Sequence, residues 1–290
     1  MKSKTLLEGH PTYLSDNNHN NYMGAIIHSK RKKEMLSFLK GNFGKISERE
    51  MARKLKIGKT TTNRWCKELN LNPIIHTVNE SFFEKWSNEM SYILGYIFAD
   101  GNINWNEKKS YRALTITAAE KDKNHLETVR NKLNSTKPLF YSKNTNSYRL
   151  IVNSKKLCLD LMKIGITPRK SLTADFPKIP NKFLKDFIRG VIDGDGCIRY
   201  VERERSPYFE IQIATGSKKF AKSLTEIISK TIGVETIPRK MKGTNTFIIQ
   251  YTCKRALKLA KWVYEDSNIF LKRKFKAYEK ALKSHGGDES

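Results

Sequence analysis

Apolar and polar positions follow three regimes along the chain. Residues 1–30 are polar, rich in Asn and His and without a period, which predicts a poorly ordered lead-in. Residues 31–75 carry apolar positions at helical spacing. From residue 89 onward, long apolar runs and strict alternations succeed one another in a fixed order, and the order occurs twice.

In the helical stretch, Ser47 and Glu50 form a Ser-x-x-Glu capping box, and Met51, Ala52 and Leu55 give the helix that follows an apolar face. Lys56, Ile57 and Gly58 break it. A second helix begins near Lys59 with Trp65 and Leu69 facing inward, while Lys59, Thr60, Thr61, Asn63, Arg64 and Lys67 occupy its other face. The pair resembles a helix-turn-helix, which implies that the second helix enters the DNA major groove. Thr62 departs from the aliphatic residue usual at its place. Pro73 stops the helix, and 76–88 reads as a connector.

The first repeat predicts a helix ending at Asp100, strands at 102–106 and 111–118, a helix at 122–134, strands at 138–142 and 147–152, and a helix at 155–163. The second predicts a helix ending at Asp195, strands at 197–205 and 208–215, a helix at 217–231, strands at 234–240 and 245–251, and a helix at 253–263. Each unit therefore reads αββαββα. Leu114 and Ile116 alternate with Ala113, Thr115 and Thr117; Phe209, Ile211 and Ile213 alternate with Glu210, Gln212 and Ala214. Antiparallel sheets with one dry and one wet face show this pattern. Each unit closes on a basic phrase, Arg169-Lys170 in the first and Arg273-Lys274 in the second.

The chain of 290 residues holds 55 Lys and Arg against 29 Asp and Glu, a formal charge of +26. That balance predicts a polyanionic partner, nucleic acid first. Cysteines at 66, 158, 197 and 253 lack zinc-type spacing and suit a reducing compartment. The six histidines form no nuclease-like cluster. The N-terminus carries no apolar core of signal-peptide type, and apolar runs reach only about eight residues, too short to span a membrane.

The stretches ILGYIFADG (93–101) and IRGVIDGDG (188–196) open the two units. Gly95 and Ala99 share one helix face, as do Gly190 and Gly194, so the two helices are expected to pack closely about a pseudo-two-fold axis. Asp100 and Asp195 then stand at helix C-termini, where the dipole disfavours negative charge. Each is followed by a glycine suited to a left-handed C′ turn. Two such ends held together make sense with a cation between them, and oxygen ligands with nearby carbonyls, here those of Ala99 and Gly194, suit Mg²⁺.

These two nonapeptides resemble the two copies of the LAGLIDADG motif, and 89–280 resembles a single-chain LAGLIDADG homing endonuclease. The resemblance implies an α+β fold of two pseudo-symmetric αββαββα halves (89–180 and 181–280) with saddle-shaped antiparallel sheets, preceded here by the helix-turn-helix of 31–75 and followed by a tail at 281–290. It implies that Asp100 and Asp195 bind Mg²⁺, with Mn²⁺ able to substitute, and cut both strands of a long specific double-stranded DNA site. It also implies a monomer acting as a pseudo-dimer, encoded with a mobile intron, in the cytoplasm of a prokaryote, in a phage or in an organelle. Lys170 and Lys274 resemble lysines that some relatives bring to the active site; polarising water or stabilising phosphorane charge stands beside binding backbone phosphate or capping the fold.

Motif position six is Phe98 in one copy and Asp193 in the other, and Asp193 reads as a surface or interface residue with a local hydrogen bond. Just after the second strands, 117–119 and 214–216 carry none of the basic or amide residues that relatives often place near the metal. Lys108, Lys109 and Arg149 in the first half, and Arg199, Arg203, Arg205, Gln212, Arg239, Lys240 and Gln250 in the second, are candidate DNA contacts. An RNA maturase and a non-cleaving transcription regulator are the competing readings; intact acids in both motifs favour cleavage. The first residue and the C-terminal GGDES do not fit a self-splicing intein.

Overall fold

The computed structural model describes residues 16–72, 75–108, 110–168, 174–203 and 207–285. Lys109, Arg169, Lys170 and Arg205 lie outside the described residues. The chain divides into two compact units, Met1–Ile75 and His76–Ser290.

The first unit holds α1 (Asp16–Asn42), α2 (Glu48–Leu55) and α3 (Lys59–Glu68). Helix α1 thus runs through part of the stretch whose sequence has no period. Its end supplies Leu39, which is buried with Met51, Trp65 and Cys66. Ser47 caps α2 by accepting from the Glu50 backbone N–H at 3.2 Å. The turn between α2 and α3 places Lys56, not Gly58, in the left-handed region, at φ 54°. Thr62 is fully buried, and its hydroxyl donates to the Gly58 carbonyl, so the polar residue at an aliphatic place is satisfied within its own helix.

The second unit begins with 76–88, tied to the first half by the Thr77 N–H donating to Thr136 Oγ1 and the Asn79 N–H donating to the Leu133 carbonyl. Then come α4 (Asn88–Asp100), β1 (Gly101–Asn106), β2 (Tyr111–Ala119), α5 (Lys123–Lys132), β3 (Phe140–Ser142), β4 (Ser147–Val152) and α6 (Lys155–Ile164). The repeat follows as α7 (Leu184–Asp195), β5 (Gly196–Val201), β6 (Tyr208–Thr215), α8 (Lys218–Ile232), β7 (Arg239–Lys240), β8 (Phe247–Thr252) and α9 (Cys253–Tyr264), closed by α10 (Lys272–His285). The sheets have the same antiparallel order, β1-β2-β4-β3 and β5-β6-β8-β7. Each buries one face. Leu114, Ile116, Leu150 and Val152 meet α5 and α6, and Phe209, Ile211, Ile213, Ile249 and Tyr251 meet α8 and α9 in one continuous core.

Four strands are shorter than their alternation predicts, β8 by a single residue, and proline explains the other three. β3 starts after Pro138 and β7 after Pro238, since proline cannot donate to a ladder. β5 stops at Val201 because its partner Tyr208 directly follows Pro207. Arg203 therefore lies beyond the strand. Helix α10 occupies residues expected as a basic phrase and tail, and it buries Lys274, Tyr278 and Ala281. Among the described residues, no helix is long and apolar enough to cross a membrane.

Candidate metal centre and nucleic-acid interface

Helices α4 and α7 pack backbone to backbone. A Cβ on Gly95 would stand 2.0 Å from the Phe187 carbonyl oxygen, and one on Gly190 would stand 2.1 Å from that of Tyr92. A Cβ on Gly194 would meet the Ala99 methyl at 2.3 Å. The small residues expected at the crossing are thus at the crossing. Residues 90–98 are buried without interruption, as a helix apolar all round requires.

The glycines after the acids serve a different end from the left-handed turn expected of them. Gly101 and Gly196 are extended, at φ −93° and −82°. A Cβ at either would lie 2.5 or 2.4 Å from the carbonyl oxygen of Ile97 or Ile192. They let the chain turn at once from helix into strand, which fixes each carboxylate at a helix–strand junction.

Asp100 and Asp195 meet at this end of the helix pair. Burial, followed by the Asp195 charge, pushes the Asp100 carboxyl up to about 6, against the opposing effects of Lys274 and a hydrogen bond from Tyr96. Asp195 is exposed, beside a cavity of about 310 Å³ lined also by Ala214, Thr215 and Gly216. Lys274 is 2% exposed. Its Nζ donates to the carbonyls of Ile192 at 2.7 Å and Asp193 at 2.6 Å, with Gly194 at 3.4 Å. These carbonyls belong to the last turn of α7, that of Ile192 also accepting the Gly196 N–H, and the ammonium answers the negative end of that helix. Burial pushes the Lys274 ammonium down to about 8. Among the described residues no group of three or more His, Cys, Asp or Glu side chains could hold a metal, so a cation here would have only the two aspartates and backbone oxygens as protein ligands.

Asp193 is an interface residue and is fully buried. It accepts from the Tyr92 hydroxyl at 2.8 Å, the Tyr264 hydroxyl at 2.6 Å and the Leu271 N–H at 2.8 Å. Tyr92 also bonds His125 at 2.9 Å. Its counterpart Phe98 packs instead on Phe187 and Phe220. Arg189, equally buried, donates to Asp186 and to the carbonyls of Val263 and Ile269, and it lies over the Tyr92 ring. Arg273 forms a two-pronged bond to Asp122 in the first half, at 2.8 Å on each prong. The local hydrogen bond expected of Asp193 is replaced by bonds to residues remote in sequence. Tyr264, Leu271 and Tyr92 stand 71, 78 and 101 residues from Asp193, and Arg273 stands 151 from Asp122.

Most of the remaining candidates belong to the outward sheet faces, while Lys240, paired with Phe247, falls on the opposite side of β7 from Arg239. In the first half these include Arg149, half-buried and paired across strands with Thr117 and Phe140, while Lys108 is exposed just past β1. In the second half Arg199, Arg239 and Lys240 are exposed, and Gln212 and Gln250 are half-buried and directly opposite one another. Arg203 lies over the Tyr208 ring, 4.8 Å from its centre. Glu210, which the sequence placed only on the wet face, sits at the centre of this group. It accepts from Arg199 at 2.6 Å and from Gln250. In the first unit, Lys59, Thr60, Arg64 and Lys67 are exposed along α3 and Thr61 is half-buried. With its amide turned to suit its neighbours, Asn63 donates to Glu48 at 2.7 Å, which joins α3 to α2.

Residues 182–261 match the family model of the LAGLIDADG-like domain. An uncharacterized protein of Methanocaldococcus jannaschii is 28% identical over 229 residues, which cover 74% of this chain and 77% of that protein. Among solved structures, the LAGLIDADG homing endonuclease I-GzeII in complex with its DNA target is similar at 12% identity and a TM-score of 0.49, covering 71% of this chain and 94% of that one. I-LtrWI bound to target DNA is similar at 13% identity and a TM-score of 0.47, covering 72% and 92%. The segment similar to the LAGLIDADG-like domain is the half that opens with α7, as far as residue 261 in α9.

Proposed function

We propose that the protein is a site-specific double-strand DNA endonuclease of the homing type, with a divalent cation held by Asp100 and Asp195. One observation carries the reading: two helices packed through glycine end side by side on carboxylates, one of which is pushed up to about 6 by burial and by the other's charge. A cation would relieve that cost. The donors are hard oxygens, which fit Mg²⁺ and, by the same chemistry, Mn²⁺. When bound, the cation would supply an activated water and charge stabilisation for phosphodiester hydrolysis.

The chain's own residues do the rest. Lys274 holds the last carbonyls of α7 and so positions Asp195. Tyr96 steadies the Asp100 carboxylate. The basic outward sheet faces bind and read the duplex, one half to each side of the cut. Helix α3 adds DNA contacts of its own through Lys59, Thr60, Arg64 and Lys67. An Arg64→Ala/Lys67→Ala variant should weaken binding and shorten the footprint; an unchanged footprint and affinity would remove α3 from the account.

The reading is tested on linear DNA that joins the flanks of the gene's insertion site. A single double-strand cut that needs Mg²⁺ and is abolished by EDTA is the expected outcome. Tight binding with no cut would turn the reading towards a regulator or an RNA maturase.

A further inference from the structure

Glu210 is an anomaly on its surface. The outward face of β5–β8 presents Arg199 and Arg239, as a polyanion-binding face should, yet a carboxylate stands in the middle. Glu210 is only 2% exposed even though its side chain points away from the core. A buried negative charge there opposes phosphate binding and is costly to desolvate, so it must be offset by its partners.

Those partners form a connected set. Arg199 Nη2 donates to Glu210 Oε2 at 2.6 Å, and Gln250 Nε2 donates to Oε1. Arg239 Nη2 then donates to Gln250 Oε1. The Gln250 amide is pinned from both sides, because a carboxylate can only accept and a guanidinium can only donate. Its orientation follows from chemistry and not from choice. Burial, the Glu210 charge and a hydrogen bond to Glu210 raise the Tyr208 phenol, so this ring joins the same carboxylate, with Arg203 lying over its face. Arg199 remains 57% exposed and spends one of its five N–H groups on Glu210.

A long cation on a sheet surface ordinarily samples many rotamers and binds any phosphate within reach. A cation clamped by a carboxylate presents its remaining N–H fork in one direction, and such a fork matches the O6 and N7 acceptors of guanine. We infer that Glu210 is a positioning residue for sequence readout: it holds Arg199 and, through Gln250, Arg239 so that the second half selects guanine at the base pairs they face. This deepens the endonuclease reading and rests on its DNA-binding part. The counterpart face of the first half carries Asn102, Asn104, Thr115 and Thr117, with Asn104 donating to Thr115, and among the described residues no acid occupies the middle of it. The two half-sites are then read with different stringency.

The test is selection of bound duplexes from a randomised double-stranded DNA pool by the full chain in EDTA, for wild type, Glu210→Gln, Arg199→Ala and Arg239→Ala. Thermal unfolding of each variant serves as the folding control, and Glu210→Gln keeps the shape and one acceptor. Wild type should enrich a motif with guanine at positions lost in Arg199→Ala and Arg239→Ala. Glu210→Gln should lose about tenfold of the preference at those same positions while keeping the rest of the motif. Its binding to unrelated DNA should tighten, as the released arginines turn to phosphate. A motif unchanged in Glu210→Gln, or a loss spread evenly over every position, overturns the inference and leaves the DNA reading standing. A wild-type protein that enriches no motif overturns the DNA reading and the inference with it.

Discussion

At the scale of single residues, the structure turns on a few positions where one atom decides. Gly190 is the clearest. Its missing Cβ leaves room for the Tyr92 carbonyl and the Tyr96 N–H, both backbone atoms that cannot swing aside. Gly190→Ala should therefore cost about 3 kcal/mol or more, at the upper end of overpacking penalties, as read by denaturant unfolding. A loss below about 1 kcal/mol would show that the helices can part without harm.

Asp100 gives a prediction with a sign. Its folded pKa of about 6 lies above the ordinary 3.8. Between those values the folded chain holds a proton that the unfolded chain has lost, so stability falls as pH rises through the window, and the deficit is complete above it. In EDTA, Asp100→Asn should be more stable than wild type by about 2 kcal/mol near pH 8, and the gap should close towards about pH 4. A gap that does not change with pH would mean the carboxyl is not shifted. The two acids and the two small-residue pairs were legible from spacing alone. The burial of Asp193, Arg189 and Lys274 was not, because each is made tolerable by partners remote in sequence. Nothing in IRGVIDGDG says that Tyr92, Tyr264 and Leu271 will converge on its sixth position.

At the scale of elements, alternation located the eight strands among the described residues, and helical spacing located nearly every helix there. Their ends were set by chemistry that the alternation ignores. Pro138 and Pro238 stand at matching places in the two halves and shorten β3 and β7 alike, a symmetry visible in the sequence once proline is read before pattern. Helix α10 was also readable, since Phe275, Tyr278 and Ala281 fall three apart. Four basic residues at 272–276 interrupt that period at its start. In the helix-turn-helix-like pair, the eye goes to Gly58 for the turn, but Lys56 carries the left-handed φ of 54°. Lys56→Gly should relieve that strain and stabilise α2 and α3 by about 1 kcal/mol, measured as slower amide exchange in those two helices. Faster exchange there would mean that the loss of the lysine side chain outweighs the backbone gain.

At the scale of the molecule, the repeat is the organising fact. A chain that builds the same half twice places one carboxylate on each side of an axis, and a duplex has one strand on each side of its own. The halves are not identical. One motif helix is sealed by Asp193 and its tyrosines and capped by Lys274, while at the matching sixth position the other carries Phe98 in an aromatic cluster. One sheet face clusters arginines around a glutamate and the other presents asparagine and threonine. A single chain, unlike a symmetric dimer, can in this way present two different surfaces, and the proposed function would use them for two different half-sites. The net charge of +26 supplies reach for the duplex but no choice among sequences. The most direct test of the central claim follows each DNA strand separately. The substrate is DNA joining the flanks of the insertion site, with Mg²⁺, for wild type, Asp100→Asn and Asp195→Asn. The account predicts that wild type cuts both strands at one place and that each variant loses double-strand cleavage by about 100-fold or more while still binding. Cleavage that persists undiminished in either variant would contradict it.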